Sequence, residues 1–406
     1  MRNVVFVAPF SFETTLRFVN AAAETPGTRL ALLSQDRLEK FPPELRQRLA
    51  AHWRVENALD ADHLTAGVEG LGQQLGSVDC LLGTLEQLQV PLAEVRERLD
   101  LDGMKVEAAE NFRDKGRMKN VLRDAGLPCA RHRYLTTEDE AYDFIDEVGY
   151  PIVVKPPDGS GAKATFSVED EASLQDALRQ NPPHPKRPLL GEEFVQGSEH
   201  SFDGVSIDGE LVWHSLTHYA PTPLEVVRNP WIQWCVILPR EIDDPKFDDI
   251  RAAAASSLDA LGMTTGVSHL EWFRRPDGSL AISEVGARPG GAQISKLMSY
   301  AHDFHFYRAW ANLMINHTFD PPQREYAAGA AFLRGQGQGL VKAIRGLRQA
   351  QREIGSLVVE TNLPRLGQTP SSSYEGEGFV ILRHRETSVV EEALRRLITL
   401  VRVELG

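Results

Sequence analysis

The sequence predicts a multidomain chain of mixed α/β and α+β class, and three observations carry that expectation. At 406 residues the chain can hold two or three domains with substantial cores. Residues Asn3 to about Gly103 alternate strand-like runs (VVFVAPF, RLALLS, DCLLG) with helical ones such as Glu86 to Leu99, the pattern of parallel βαβ units. From Pro128 onward hairpin signals such as Asp208-Gly209 and Pro276-Asp277-Gly278 join the strands, and strands and helices resume after Asp320-Pro321-Pro322. The expected domains are therefore residues 1–105, 106–322 and 323–406, with a smaller unit of strands and helices at about 128–196.

Taken in order, the loop Pro9-Phe10-Ser11 follows the first strand, where open α/β sheets place ligands, but no GxGxxG accompanies it. Helical runs near Met104–Asn111 and Asp114–Ala125 end at Gly126-Leu127-Pro128, a stop signal. The run NPPHPKRP between Asn181 and Pro188 is a surface connection, and Tyr219 to Trp231 reads as a long irregular segment that could form a substrate loop. Pro245 to Leu261 is an alanine-rich scaffold helix.

Composition narrows the function. With 42% hydrophobic and 25% charged residues the chain reads as globular and soluble, and its net charge of -13 offers no basic patch, which argues against nucleic acid as a partner. Three widely spaced cysteines, Cys80, Cys129 and Cys235, lack a metal-ligand rhythm and suit a reducing cytosol. The apolar run at the N-terminus is too short for a signal peptide, and no stretch reaches membrane-spanning length, so a cytoplasmic protein without a membrane partner is expected.

The chemistry concentrates between Gly266 and Gly291. If Asp277-Gly278 is a two-residue hairpin loop, Pro276 faces Ser279 and Glu271 lies opposite Glu284, with β-carbons about 5 Å apart. Pro276 cannot donate the hydrogen bond that such a loop wants. A three-residue loop would shift the pairing by one and need a bulge to restore the common face. Two facing carboxylates repel unless a divalent cation lies between them, and magnesium takes oxygen ligands of this kind. The same stretch also reads as a half-buried hairpin with both glutamates in solvent. His269 shares a face with Glu271 and could orient substrate or metal ligands, and Arg288 brings a fixed charge to the same end.

Around Lys155 a strand ends in lysine and is followed by Gly159, Ser160, Gly161 and Lys163. Backbone N–H groups freed by glycine, a hydroxyl and two ammonium groups suit a phosphate cradle, though a plain glycine hairpin with solvated lysines fits as well. Downstream, Glu192, Glu193, Phe194, Val195 and Glu199 could offer carboxylates to ribose hydroxyls and a strand edge with an apolar wall to adenine; they also read as a charged, aggregation-resistant edge strand.

In this order the segments resemble the ATP-grasp superfamily, over most of the chain. NFRDKGRMKNVLRDAG, with Lys115, is similar to the first phosphate-binding lysine segment, and GYPIVVKPPDGSGAKAT to the second lysine strand and its glycine loop. EEFVQGSEHSFDG resembles the adenine hinge, and HLEW and SEVGARPGG resemble the two metal-carboxylate strands with their arginine. The resemblance implies an ATP-grasp fold with an N-terminal Rossmann-like domain, a lid at about 128–196 and an extra C-terminal domain. It implies ATP and one or two Mg2+ ions, or Mn2+, held by Glu271 and Glu284, with Lys115 and Lys155 on the phosphates. The Glu193 carbonyl and Val195 N–H would meet adenine, and Glu199 the ribose. Arg288 would face a carboxylate and then an oxyanion, with Gly290 and Gly291 close to substrate. Many members carry asparagine where this chain has Gly286, which puts a third metal ligand in doubt.

Within the superfamily, LLGTLEQLQVPLAEVRERLDLDG, Gly286 and the tail AAGAAFLRGQGQGLVKAIRGLRQA resemble the L-amino acid ligases, the bacilysin-type dipeptide synthetases. That implies a ligase joining a small-molecule carboxylate to an amine through an acyl phosphate, with a homodimer kept open as its assembly. A carboxylase or purine-pathway-like activity on the same scaffold, and a non-catalytic ATP-binding module, remain the alternatives.

Overall fold

The computed structural model describes every residue except 160–163, 230 and 372. Among the described residues the first sheet has four parallel strands, in the order Ala51–Arg54, Thr28–Ser34, Arg2–Val7, Cys80–Leu82. Phe6 and Leu32 are buried on one face, Val5, Val7 and Leu33 on the other. Covered on both sides, such strands become unbroken apolar runs, which is why they stood out in the sequence. Ala51–Arg54 is an addition to the expected strands; four residues at a sheet edge are too few for alternation to register.

The helices expected near Met104–Asn111 and Asp114–Ala125 are Val106–Arg113 and Lys115–Asp124. Asp114 separates them, with φ −95° and ψ 113° in the extended region and an Oδ1 that accepts the Arg117 N–H at 2.9 Å. This N-cap puts Lys115 in the first turn of the second helix.

A second sheet has the antiparallel order His132–Leu135, Leu189–Glu193, Ile152–Lys155, Phe166–Val168. Its helices Glu138–Val148 and Glu171–Gln180 each open with a capping box, Thr137 with Glu140 and Asp170 with Ser173. Phe144, Ile152, Leu174 and Leu189 give this sheet a small core of its own.

The largest sheet is antiparallel and runs, among the described residues, Leu280–Gly286, Gly266–Arg274, Ser198–Ile207, Glu210–Ala220, Trp234–Leu238, Ala327–Leu333, Gly378–His384, Val358–Asn362. Residues on both sides of the Pro321-Pro322 break thus share one sheet, and Trp234–Leu238 pairs with Ala328–Phe332. Among the described residues of the C-terminal part, only a three-stranded sheet, Gly335–Gln336, Arg402–Leu405, Val341–Arg345, stands apart from it. Helices Ile294–His302 and Phe306–Asn316 share a core cluster with the first helix, Glu13–Glu24, where Phe18 meets Trp310 edge-on at 4.8 Å between ring centroids.

The expectation of an irregular segment from Tyr219 to Trp231 is corrected. Strand Glu210–Ala220 runs into it and Pro223–Arg228 forms a helix, capped by Thr222 Oγ1 with the Glu225 N–H at 3.3 Å. Six residues give no readable period, and Pro223, at the first helical turn, starts a helix that the same residue would break from its middle. Among the described residues no helix is long and apolar enough to cross a membrane.

Candidate active site

The carboxylate hairpin reaches the expected pairing by the longer route. The Arg275 N–H donates to the Ser279 carbonyl and the Gly278 N–H to the Arg275 carbonyl, both at 2.9 Å. The loop is therefore Pro276-Asp277-Gly278, with Gly278 at φ +85°, and Asp277 Oδ1 accepts the Ser279 N–H at 2.9 Å. Arg274 then faces Leu280 and Trp272 faces Ile282, one step out of the two-residue register. A bulge at Ser283 takes up that step, and Glu271 faces Glu284. Proline without an N–H and glycine with a left-handed φ explain the three-residue loop.

Lysines from two other elements converge on this hairpin. Lys115 Nζ lies 3.1 Å from Glu284 Oε1 and donates to the Gly159 carbonyl at 2.6 Å. Glu192, on the neighbouring sheet, sits between Lys155 Nζ at 2.8 Å and Lys119 Nζ at 3.1 Å. Lys119 also donates to the carbonyl of the bulged Ser283, tying the two sheets together. Burial alone would raise the Glu192 carboxyl, but the two ammonium groups hold it down at about 2. The Glu192 carboxylate is thus held between two lysines at the cavity. Burial and then the Glu271 charge push Glu199 well above the ordinary carboxylate range.

The Glu193 side chain is taken by Arg131 at 2.6 Å and Arg275 at 3.0 Å, which leaves only its backbone for recognition. With Phe194 and Val195 it lines a cavity of about 520 Å³ that also meets Lys115, Lys155, Glu192, Glu199, His269, Glu271, Glu284 and Arg288. The expected residues Ser160, Gly161 and Lys163 lie outside the described residues.

His269 Nδ1 meets Asp203 Oδ1 at 2.8 Å, and its Nε2 is 3.5 Å from Glu271 Oε1. Burial works against the charged ring, but Asp203 by charge and hydrogen bond, and then Glu271, push its pKa up to about 10. His269 accordingly lies between two carboxylates, one at each ring nitrogen. The Ser201 hydroxyl holds the other Asp203 oxygen at 2.9 Å. A β-carbon on Gly290 would stand 2.8 Å from His269 Nδ1 and 3.0 Å from Asp203 Oδ1. Gly290 therefore seats this pair, whereas Gly291 lines the cavity itself. We expect Gly290→Ala to keep the fold while shifting His269, with turnover down about 10- to 100-fold as for loss of a supporting contact; unchanged kinetics would remove His269 from the working site.

At Gly286 a β-carbon would come no nearer than 3.7 Å to Arg288 Cγ, so a side chain is absent there without being sterically excluded. Arg288 Nε and Nη2 donate to Glu86 Oε2 at 2.9 and 2.7 Å. The cavity is also lined by Tyr219, Trp234, Tyr374, Ala292 and Ile294 and by residues of the helix Pro223–Arg228. Trp234 and Tyr374 meet edge-on at 4.9 Å.

Sequence reasoning missed Glu86, Lys119, Asp203 and this aromatic wall. Asp203 had a signal, since Glu199, Ser201 and Asp203 alternate on one strand face. Tyr374 and Trp234 had none, being brought together only by the order of strands.

Residues 120–292 match the model of the ATP-grasp domain. The chain is 25% identical over 300 residues to the L-arginine-specific L-amino acid ligase of Bacillus subtilis, across 71% of this chain and 70% of that protein. It is 25% identical over 241 residues to the alanine–anticapsin ligase of Bacillus subtilis strain 168, across 54% of this chain and 50% of that relative, so half of that protein's length is spanned. The solved structure of an L-amino acid ligase from Bacillus licheniformis has the same fold, with a TM-score of 0.80 at 19% identity, covering 100% of this chain and 99% of the other.

Proposed function

Because this chain is an ATP-grasp ligase in family and fold, we propose that it joins a carboxylate to an amine, forming a peptide-type amide between amino acids or between an amino acid and a small carboxylic acid. ATP is spent to ADP and phosphate through an acyl phosphate. The observation that carries this reading is the convergence of Glu271, Glu284, Lys115, Lys155 and Arg288 on one cavity. In this reading residues 128–196 act as the lid, and residues 1–105 and 323–406 flank an ATP-grasp core at 106–322.

The donor set fits magnesium, or manganese in its place. Glu271 and Glu284 face each other in register, and among the described residues no group of three His, Cys, Asp or Glu side chains could hold a metal. Such a pair suits a hard cation that takes few protein ligands and fills its shell with phosphate oxygens and water. When bound there, the ion would neutralise charge on the β- and γ-phosphates of ATP.

The chain's own residues do the rest. Lys115 and Lys155 grip the phosphates, and the edge of the lid strand at Glu193 to Val195 receives adenine. The substrate carboxylate lies against Arg288 and attacks the γ-phosphorus, the bond from that phosphorus to the β–γ bridging oxygen breaks and ADP leaves. The amine then attacks the acyl carbon, Arg288 faces the oxyanion, and phosphate leaves as the nitrogen gives up a proton to solvent. His269, itself held by Asp203, keeps Glu271 in place. Ala292 leaves the aromatic end of the cavity open to large apolar side chains.

A matrix of all pairs of the proteinogenic amino acids with ATP and magnesium tests this reading. The expected result is ADP, not AMP, together with a product equal in mass to both substrates less water, fastest with large apolar acids. Appearance of AMP would mean adenylation and overturn the mechanism. ADP release that depends on a carboxylate outside the amino acids would keep the ligase and remove the dipeptide.

A further inference from the structure

We infer that Glu86, which comes from the N-terminal part of the chain and lies outside the stretch matching the family model, is a positioning residue for Arg288. The inference rests on the proposed role of Arg288 as the group that receives the substrate carboxylate. Glu86 opens the short turn Glu86–Leu88, just before the helix Gln89–Arg98. Its Oε2 accepts both Nε and Nη2 of Arg288, at 2.9 and 2.7 Å, and Arg288 Nη1 donates to the Pro289 carbonyl at 2.9 Å. On its other oxygen Glu86 is met by Arg113 Nη1 at 3.4 Å.

A guanidinium carries five N–H donors in one plane. Three are taken by these bonds, with Nε and Nη2 on the side edge that Glu86 occupies, and two remain, one on Nη1 and one on Nη2. Arg288 lines the cavity, and charge-assisted N–H donors of this kind are what a carboxylate binds. Glu86 thus leaves Nη1 and Nη2 a donor each for substrate. The pair is poorly exposed, 11% for the Glu86 side chain and 20% for Arg288. At that burial the desolvation of two charges offsets most of their attraction, so net stability is a weak reason for the contact. Orientation is the better one: a planar fork pinned along one edge, with its carboxylate held by Arg113 from behind, has one way to face the cavity.

The test is a double-mutant cycle read by ADP release with the fastest amino-acid pair of the matrix, alongside ATP affinity by titration and the urea midpoint. Glu86→Ala should lower kcat about 10- to 100-fold, as loss of an orienting contact does, with ATP affinity unchanged. In the Arg288→Ala background the same substitution should change kcat by less than about twofold, because its effect runs through Arg288. Glu86→Gln, which keeps an acceptor oxygen, should fall between, and it replaces Glu86→Ala in the cycle if that variant does not fold. Equal losses in both backgrounds would overturn the positioning role while leaving Arg288 in the mechanism. An Arg288→Ala enzyme of normal rate would overturn the role of Arg288 and this inference together.

Discussion

Glu284→Gln should abolish most magnesium-dependent turnover, by about 10²- to 10³-fold or more, the range seen when one preorganised charge-stabilising group is lost. Glutamine keeps the shape of the side chain and an oxygen for Lys115, which lies 3.1 Å away, so the fold should survive. It cannot share a divalent cation with Glu271. The loss should therefore deepen as magnesium becomes limiting, whereas ATP without metal should bind about as before. Steady-state ADP release across a magnesium titration, with circular dichroism as the control for folding, makes the measurement. A variant with near-normal ADP release at limiting magnesium would mean that the facing carboxylates are not the metal site.

The second large effect is on stability. Lys119 is wholly buried and its Nζ reaches both Glu192 and the Ser283 carbonyl. Lys119→Met keeps the length and the apolar stem of the side chain but removes the charge. Glu192 is then left with Lys155 as its ion-pair partner, and the bulge carbonyl loses its donor. Breaking a buried ion pair from one side costs about 3 kcal/mol or somewhat more, and the retained Lys155 argues for the lower end. Urea unfolding should show that loss in the midpoint. A change below about 1 kcal/mol, the worth of an exposed pair, would mean that Lys119 contributes no more than a surface lysine.

The parts of this molecule that were legible before any coordinates share a local cause. The parallel strands Arg2–Val7 and Thr28–Ser34 announce themselves because both faces are buried, and Gly126-Leu127-Pro128 marks a helix end by its own chemistry. The pairing of Glu271 with Glu284 was reachable by counting along a hairpin, and the loop that Pro276 and Gly278 require was one of two admitted. What stayed hidden depends on distant strands or on short elements. Glu86 and Arg288 are 202 residues apart, and nothing in either neighbourhood names the other. The sequence shows the Glu192 carboxylate but not the two lysines that enclose it. The helix Pro223–Arg228 reads as loop because six residues do not display a period.

That strands on both sides of residue 322 pair in one sheet has a consequence for how such a protein can change over time. Trp234 stacks on Phe332 and meets Tyr374 edge-on, so the aromatic lining of the cavity, Trp234 with Tyr374, is written in two stretches of the gene that recombination can part. A transplanted C-terminal segment would arrive with strand edges shaped for another Trp234 and with a different neighbour for it. New specificities in this lineage should therefore accumulate by compensating point changes at these three aromatic positions, and chimeras joined near residue 322 should be disabled first in their choice of acid and only secondarily in their handling of nucleotide.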